Sequence, residues 1–453
     1  MRPVTETAAS SDTPPDGDTA VVPALRCSSS GSGEPAVDDV GTVVTAVATP
    51  ARVEDLLSSE TRPDPYRAYA DLRAQGAVHP SPMGIAVVTR YQECAEVLSD
   101  PRWSHANEAE LFHPGVEHTE LPASFLWMDP PDHTRLRGLV SKAFTARTVS
   151  DLRQRITRIV DGLLDPVIGA GTTDLVEALA YPLPLTVICE LLGVPASDHP
   201  LVHGWAPALA RGFDPDPLLS PRERVARTDA AVELLEYFGG LVSRARDRAA
   251  RGEPATDLVS ELARVHDHGD ALTEHEMLAT CVTLLIAGHE TTVNLVGNGL
   301  LGLIRDPDQL DLLRRRPELH GAAVDEMLRH DSPVHMTTRA ALTNLTVAGH
   351  EFAPGEGVIV LIGSANRDDR AFARPDELDL TRYANRETVA ARHLSFSLGM
   401  HYCLGAPLAR LEMEVLLTAL ARRGAQLELD AAGPTYKPNL VLRGLATLPG
   451  RIN

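Results

Sequence analysis

Phe396-Ser397-Leu398-Gly399-Met400-His401-Tyr402-Cys403-Leu404-Gly405 is the stretch that decides how this chain is read. It sets one cysteine at the end of a tight, glycine-punctuated loop, directly before an amphipathic helix expected from Ala406 to about Arg423. Pro407 falls in the first helical turn, where its missing N–H costs nothing. The free N–H groups and the positive dipole end of that helix point back at the loop. Positive potential of this kind favours a thiolate at Cys403. A lone thiolate fixed by backbone donors suits one axial ligand of a haem iron. A buried core cysteine is the commoner fate. Gly399 and Gly405 weigh against it, because they mark backbone that turns sharply or passes close to something flat.

Composition narrows the class. The 453 residues are 43% hydrophobic and 23% charged, which is a globular protein long enough for a large core. Cys27, Cys94, Cys189, Cys281 and Cys403 are scattered, with no CxxC pair. That is neither a disulfide framework nor a zinc ribbon, and it fits a reducing compartment. The net charge of −20 argues against a nucleic-acid partner. Only Lys142 and Lys437 are lysines, so the positive charge is almost all arginine. No apolar run has the length of a membrane span. The N-terminus lacks the basic start and apolar block of a signal peptide. The expectation is a cytoplasmic monomer with no membrane anchor.

Residues 1–50 are rich in Ser, Thr, Pro, Gly, Asp and Ala, and hold no aromatic residue. This acidic segment reads as a disordered tail. Residues 51–453 read as one domain, mainly α with a minor β region. Helices are expected at Pro65–Gln75, Tyr91–Leu98, and about 132–144, 149–168, 173–192, 228–250 and 256–265. Strands are expected at Ile85–Thr89, Leu345–Val347 and Gly357–Ile362, with a turn at Gly349-His350. A core of this size would cohere better around a buried prosthetic group.

Thr273 and Glu276 form a capping box that opens the longest helical run, continuing to about Ile304 and ending before Pro307. Its apolar middle, ending in Ile286-Ala287, is followed by Gly288-His289-Glu290-Thr291-Thr292. Glycine weakens a helix, and threonine can bond back to the carbonyl of Ala287 and bend it. A buried glutamate adds a desolvation cost. Three unfavourable choices in a row point to a site. Glu290 and Thr291 suit proton delivery to an oxygen species. The plainer alternative is a kinked helix whose glutamate pairs with an arginine elsewhere. A zinc reading of His289-Glu290 or His275-Glu276 fails, because Val293 and Ala279 stand where HExxH needs its second histidine.

Three further motifs complete the pattern. Glu326-Met327-Leu328-Arg329 places an acid and a base on one helical face. Asp129-Pro130-Pro131-Asp132-His133-Thr134-Arg135-Leu136-Arg137 opens a helix with His133 and Arg137 one turn apart. Thr337-Thr338-Arg339 follows Ser332-Pro333. Together with the cysteine loop, these resemble the cytochrome P450 family from about residue 60 to the C-terminus. Leu398 is a local departure from many bacterial members, and the tail is longer than usual.

The resemblance implies a cytochrome P450 fold with haem b between the long helix and the helix after the cysteine loop. It implies Cys403 as iron ligand, and His133, Arg137, Arg339 and His401 at the haem propionates. Phe396 matches the aromatic packed near the thiolate; Gly399 and Ala287 are counted with the cofactor site. Glu290-Thr291 matches the acid–alcohol pair. Arg382 matches a third member of the Glu326–Arg329 lock, a structural role. The implied reaction inserts one atom of O2 into a lipophilic molecule such as a polyketide, terpenoid or steroid. NAD(P)H serves only indirectly, through a ferredoxin and its reductase docking near residues 398–402. The pocket roof is expected around Trp103–Trp127, including Leu111, Phe112, Phe125 and Leu126, with the loop near Trp205–Phe213. His105, His113 and His203 add a few polar points. Two other functions remain: a peroxygenase fed by H2O2, and a haem-binding sensor or carrier. The Glu290-Thr291 pair weighs against both.

Overall fold

The computed structural model describes residues 51–81, 84–106, 124–267, 270–385 and 391–453. The expected tail and the roof residues Leu111, Phe112 and His113 lie outside the described residues.

The long helix runs unbroken from Glu274 to Arg305. Its start follows from the capping box. Thr273 Oγ1 accepts the Glu276 N–H at 3.2 Å, and Glu276 Oε2 accepts the Thr273 N–H at 2.8 Å. Every residue from Thr292 to Leu301 is buried. A helix buried all round must sit at the centre of its fold, and this one packs against the helices Pro182–Leu191, His199–Arg211, Pro221–Ala250, His320–His330 and Ala406–Arg422. Gly299 brings it close to the last of these: a Cβ there would lie 2.6 Å from Met413 Cε.

The minor β region is a five-stranded sheet in the order Val78–His79, Ala86–Val88, Gly357–Val360, Thr337–Ala341, Trp103–Ser104. All neighbours are antiparallel except Ala86–Val88 with Gly357–Val360. Three strands, Leu427–Leu429, Pro449–Ile452 and Thr173–Asp174, form a smaller sheet.

Several boundaries depart from expectation for readable reasons. The segment 173–192 is a short strand, a π-helical turn at Val176–Ala180, and a helix from Pro182. Asp174 Oδ1 accepts the N–H groups of Val176 and Leu448, which pins the start to the small sheet. Pro182 lacks an N–H and therefore opens a helix rather than continuing one. The segment 149–168 is two helices, Ala146–Asp151 and Arg153–Leu164. The helix expected from 228 begins at Pro221, where Ser220 and Glu223 make a capping box.

The acid–base lock forms as the Glu-x-x-Arg spacing demands. Arg329 donates through Nε and Nη2 to both oxygens of Glu326, each at 2.8 Å, and both side chains are fully buried. Arg382 Nε adds a third bond to Glu326 Oε2 at 3.0 Å. The remaining Arg329 N–H groups go to the carbonyls of Asn366, Pro375 and Glu377. Asn366 in turn accepts the Leu394 N–H at 2.7 Å and donates to Ser395 Oγ at 2.9 Å. Ser395 Oγ bonds to Leu328 O. The lock therefore reaches the chain immediately before the cysteine loop.

Replacing Glu326 by Gln should strand part of a buried guanidinium. A loss of about 3–5 kcal/mol is expected from breaking such a pair, read as a lowered midpoint in urea unfolding.

Candidate active site

Cys403 closes its loop through a bond from its N–H to Phe396 O at 2.9 Å. Ser397 and Gly399 both adopt positive φ, +59° and +64°. A Cβ at Gly399 would lie 2.9 Å from Leu98 O and 3.1 Å from Ser99 Cα, so this glycine lets the loop cross the end of the helix Tyr91–Ser99. The sharp turn is thus real, and its near neighbour is backbone. The backbone N–H groups of Gly405 and Ala406 face the Cys403 sulfur and favour its thiolate, while the Ala406 N–H bonds to Cys403 O at 3.4 Å. Burial nevertheless pushes its thiol up, outweighing those donors and the charges of Arg137 and Arg410. The thiolate expected from the helix terminus is therefore not secured by the protein alone. A metal cation at the sulfur removes that proton outright. Cys403 is only partly buried, whereas Cys94, Cys189 and Cys281 are buried completely. The Phe396 ring lies under the Arg410 guanidinium, 4.6 Å from its centroid, and Arg410 reaches Asp325 and the Tyr402 hydroxyl.

Around the loop stands a cluster of positive and imidazole groups. Arg137, one turn after His133, donates to Tyr402 O. The His133 and His401 rings are 4.4 Å apart, and His105 stacks on His401 at 4.8 Å. Burial, then His105, Arg339, His133 and Arg137, pushes His401 down to about 2. Burial and the Arg137 charge likewise lower His133. Both ring nitrogens of His133 and Nε2 of His401 are buried without a protein partner. Arg339 lies on the strand Thr337–Ala341 and bonds to Thr338 O. The structure thus brings His133, Arg137, Arg339, His401 and Cys403 together.

It adds His105, which the sequence reading placed in the pocket roof. The strand Trp103–Ser104, paired to the strand of Arg339 by the register Trp103↔Ala341, Ser104↔Ala340, ends just before His105, which with Arg339 faces His401. Asp129, the first residue of the Asp129-Pro130-Pro131-Asp132-His133 run, accepts the Ser104 hydroxyl and the His105 N–H. No local motif announces such a cross-sheet partner.

The second group lies on the long helix. Thr291 Oγ1 donates to Ala287 O at 2.7 Å, and Thr292 Oγ1 to Gly288 O at 3.0 Å. The threonine back-bonding is as read from sequence, while the helix stays continuous. Glu290 is buried, and its carboxylate meets Lys437 Nζ at 2.6 Å. The partner imagined for it was an arginine; it is one of the two lysines. His289 packs edge-on to Tyr181, which also meets His203 edge-on. Burial, with Lys437 nearby, pushes His289 down to about 3, so it is a neutral ring.

The expected roof is partly revised. Trp103 is buried in the small β core against Phe352, and Phe125 belongs to the main core. Trp127 stacks on His105 at 4.9 Å. Trp205 sits in a helix, His199–Arg211, not a loop, and donates to Glu233. A surface groove of about 500 Å3 lined by Arg147, Arg155, Glu190 and Asp257 shares no residue with either group. It reflects helix packing, with Arg155 and Glu190 paired across it.

Comparison with known proteins gives the family. The family profile described as Cytochrome P450 matches residues 226–424. "Cytochrome P450 monooxygenase PikC" of Streptomyces venezuelae is 39% identical, over 87% of this chain and 92% of its own. The chain belongs to the cytochrome P450 family. "Vitamin D(3) 25-hydroxylase" of Pseudonocardia autotrophica is likewise 39% identical, over 87% of this chain and 95% of its own. The ligand-free structure of CYP164A2 from Mycobacterium smegmatis superposes with a TM-score of 0.76 at 40% identity, covering 88% and 98% of the two chains. The expected P450 fold is therefore the observed one. This P450 is a monooxygenase that uses haem b and O2, with reducing equivalents arriving through redox partners. No helix among the described residues is long and apolar enough to cross a membrane.

The residues present fit the cofactor. Three partnerless imidazole nitrogens beside two arginines form a buried site for carboxylates, such as the two propionates of haem b. The single cysteine with backbone donors fits an iron ligand.

Two measurements follow from local chemistry. Ser397 stands in the left-handed region, which costs a non-glycine residue about 1–2 kcal/mol. Ser397→Gly should stabilise by about 0.5–1 kcal/mol after the added unfolded-state entropy, seen as a higher urea midpoint. Glu412, in the helix Ala406–Arg422, is buried with Oε2 unpartnered, and burial pushes its carboxyl from 4.5 up to about 8. Between those values the folded chain keeps a proton that the unfolded chain has lost. Stability should therefore fall as pH rises through that window, by on the order of 5 kcal/mol. Glu412→Gln should abolish that part of the fall when unfolding is compared at the two ends of the window.

Proposed function

We propose that Cys403 ligates the haem iron and that His133, Arg137, Arg339 and His401 hold the propionates. The carrying observation is the cluster of positive and imidazole groups whose buried nitrogens lack a protein partner. Phe396, whose carbonyl holds the Cys403 N–H, steadies the ligand loop, and Gly399 permits its turn. The Ala287 carbonyl accepts the hydrogen bond of the Thr291 hydroxyl, which fixes where the Thr291 oxygen presents its lone pairs. Haem, when bound, supplies the redox chemistry by which one oxygen atom of O2 enters the substrate and the other leaves as water. The protein's own task is to deliver protons and exclude bulk water. Glu290 carries the protons and Thr291 hands them on.

The substrate we assign is a mid-sized lipophilic molecule. Supporting this are the apolar lining of the long helix before Glu290 and the name of the vitamin D(3) hydroxylase relative. Electrons come from a ferredoxin and its reductase. Tyr402, exposed and adjacent to Cys403, marks the face where such a partner would meet the loop. These contacts are small and transient by nature.

The test is the spectrum of the reduced, CO-bound protein. A strongly red-shifted Soret band is expected, and Cys403→Ala should lose it. A band unchanged by Cys403→Ala would overturn the ligand assignment. Spin-state titration with vitamin D(3), a macrolide aglycone and a long-chain fatty acid then ranks substrate shapes. Full turnover with peroxide alone, and none with ferredoxin, would overturn the electron route.

A further inference from the structure

In a chain whose net charge is −20, one small crevice is lined by three cations. It encloses about 30 Å3 between residues 56–69 and residues 436–444. Arg62, Tyr69, His335, Tyr436, Lys437 and Arg443 line it, and none of the described residues lining it is an aspartate or a glutamate. Two of the three cations are matched by acids behind the wall. Lys437 meets Glu290 at 2.6 Å, and Arg443 meets Asp331 at 2.8 Å. Arg62 makes no ion pair among the described residues. Asp214 feels its charge, but that carboxylate is spent on Arg211 and on the N–H groups of Leu440 and Val441. One positive charge at the crevice is therefore left uncompensated.

The same residues carry polar atoms that the protein leaves unmatched. Arg62 Nε, the Tyr436 hydroxyl and His335 Nε2 are each buried without a protein partner. Their supports are specific. Arg443 donates to the carbonyls of Arg62 and Pro63 and lies over the Tyr436 ring, 4.5 Å from its centroid. His335 is 3% exposed, and its N–H and carbonyl are tied to Val441 O and the Gly363 N–H. Its ring rests on Gly363, where a Cβ would stand 3.0 Å from Cγ and Nδ1. The Tyr69 hydroxyl meets His335 Nδ1 at 2.8 Å. Burial pushes His335 down to about 4, so the ring is neutral. With Tyr69 donating to Nδ1, the ring proton sits on Nε2. The Asp331 carboxylate is 3.9 Å from that nitrogen, too far to accept a hydrogen bond. Buried donors of this kind cost free energy unless something accepts from them.

We propose that this crevice binds one monovalent anion of halide size, with Arg62 Nε, the Tyr436 hydroxyl and His335 Nε2 donating to it. Size sets the class. A space of about 30 Å3 takes one or two water-sized spheres, which admits chloride or bromide and shuts out sulfate and phosphate. Charge separates the anion from a water molecule. Water would satisfy the three donors but leave the Arg62 charge uncompensated, whereas an anion does both. The bound ion ties residues 56–69 to the C-terminal stretch that brings Lys437 to Glu290 and Arg443 to Asp331. Its role is structural, a clamp between the two ends of the described domain. None of its three donors belongs to the cluster proposed to hold haem, so this inference stands or falls separately from the haem assignment.

The test uses the full-length holoenzyme, with sodium chloride exchanged for sodium gluconate at constant ionic strength. Gluconate is too large for the crevice, and matched ionic strength removes general screening. A ligand that binds only the folded state raises the unfolding temperature. The wild type should gain about 3 °C between low and saturating chloride, and bromide should act alike. Arg62→Gln should lose that gain, and Tyr436→Phe, which removes a single hydroxyl, should at least halve it. In crystals grown with bromide, an anomalous-scattering peak is expected between Arg62 Nε, the Tyr436 hydroxyl and His335 Nε2, and none in Arg62→Gln. A water-sized peak without anomalous signal would overturn the site. So would a chloride gain of equal size in the wild type and both variants. A bromide peak with no gain in solution would mean binding at crystal concentration only, and that too rejects the proposal. If Arg62→Gln does not fold, Tyr436→Phe decides by the same two measurements.

Discussion

The ion lock of Glu326, Arg329 and Arg382 is the interaction on which the active-site geometry depends. A fully buried carboxylate and guanidinium are tolerable only when every lone pair and N–H is spent, and here they are. The carbonyls that satisfy Arg329 belong to residues 366–377, and Asn366 passes the constraint to Leu394 and Ser395. The cysteine loop starts immediately after. Its course, with left-handed residues at Ser397 and Gly399, is set by a polar network one layer removed from the chemistry.

Three buried glutamates show how partners decide use. Glu326 is saturated by two arginines and a backbone N–H, and is structural. Glu412 has Oε2 unpartnered, and burial keeps it protonated at neutral pH. Glu290 lies between these extremes, held by a single lysine at the edge of a polar crevice.

The positive cluster obeys the same logic with the sign reversed. Five basic or imidazole side chains stand together, and mutual repulsion with burial keeps His401 and His133 neutral. Such an arrangement is unfavourable in isolation and sensible only beside an anion. A carboxylate-bearing cofactor would offset that cost.

Residue spacing alone determined much of this protein. The capping box at Thr273, the Glu326–Arg329 pair, the Thr291 bond to Ala287 and the turn before Cys403 are local patterns, readable because their partners lie within a turn; Arg382, 56 residues from Glu326, was legible only through the family resemblance. The helix breaks at Leu152 and Pro182 were less legible, since apolar periodicity runs through them. The roles of Trp103, His105 and Lys437 were decided only by tertiary structure. Trp103 is buried by the sheet, His105 stacks on His401 from a strand end far earlier in the chain, and Lys437 reaches Glu290 across 147 residues of chain. Hydrogen-bond and charge partners at such separations are chosen by how the chain closes on itself, and no periodicity in a single strand or helix carries that information.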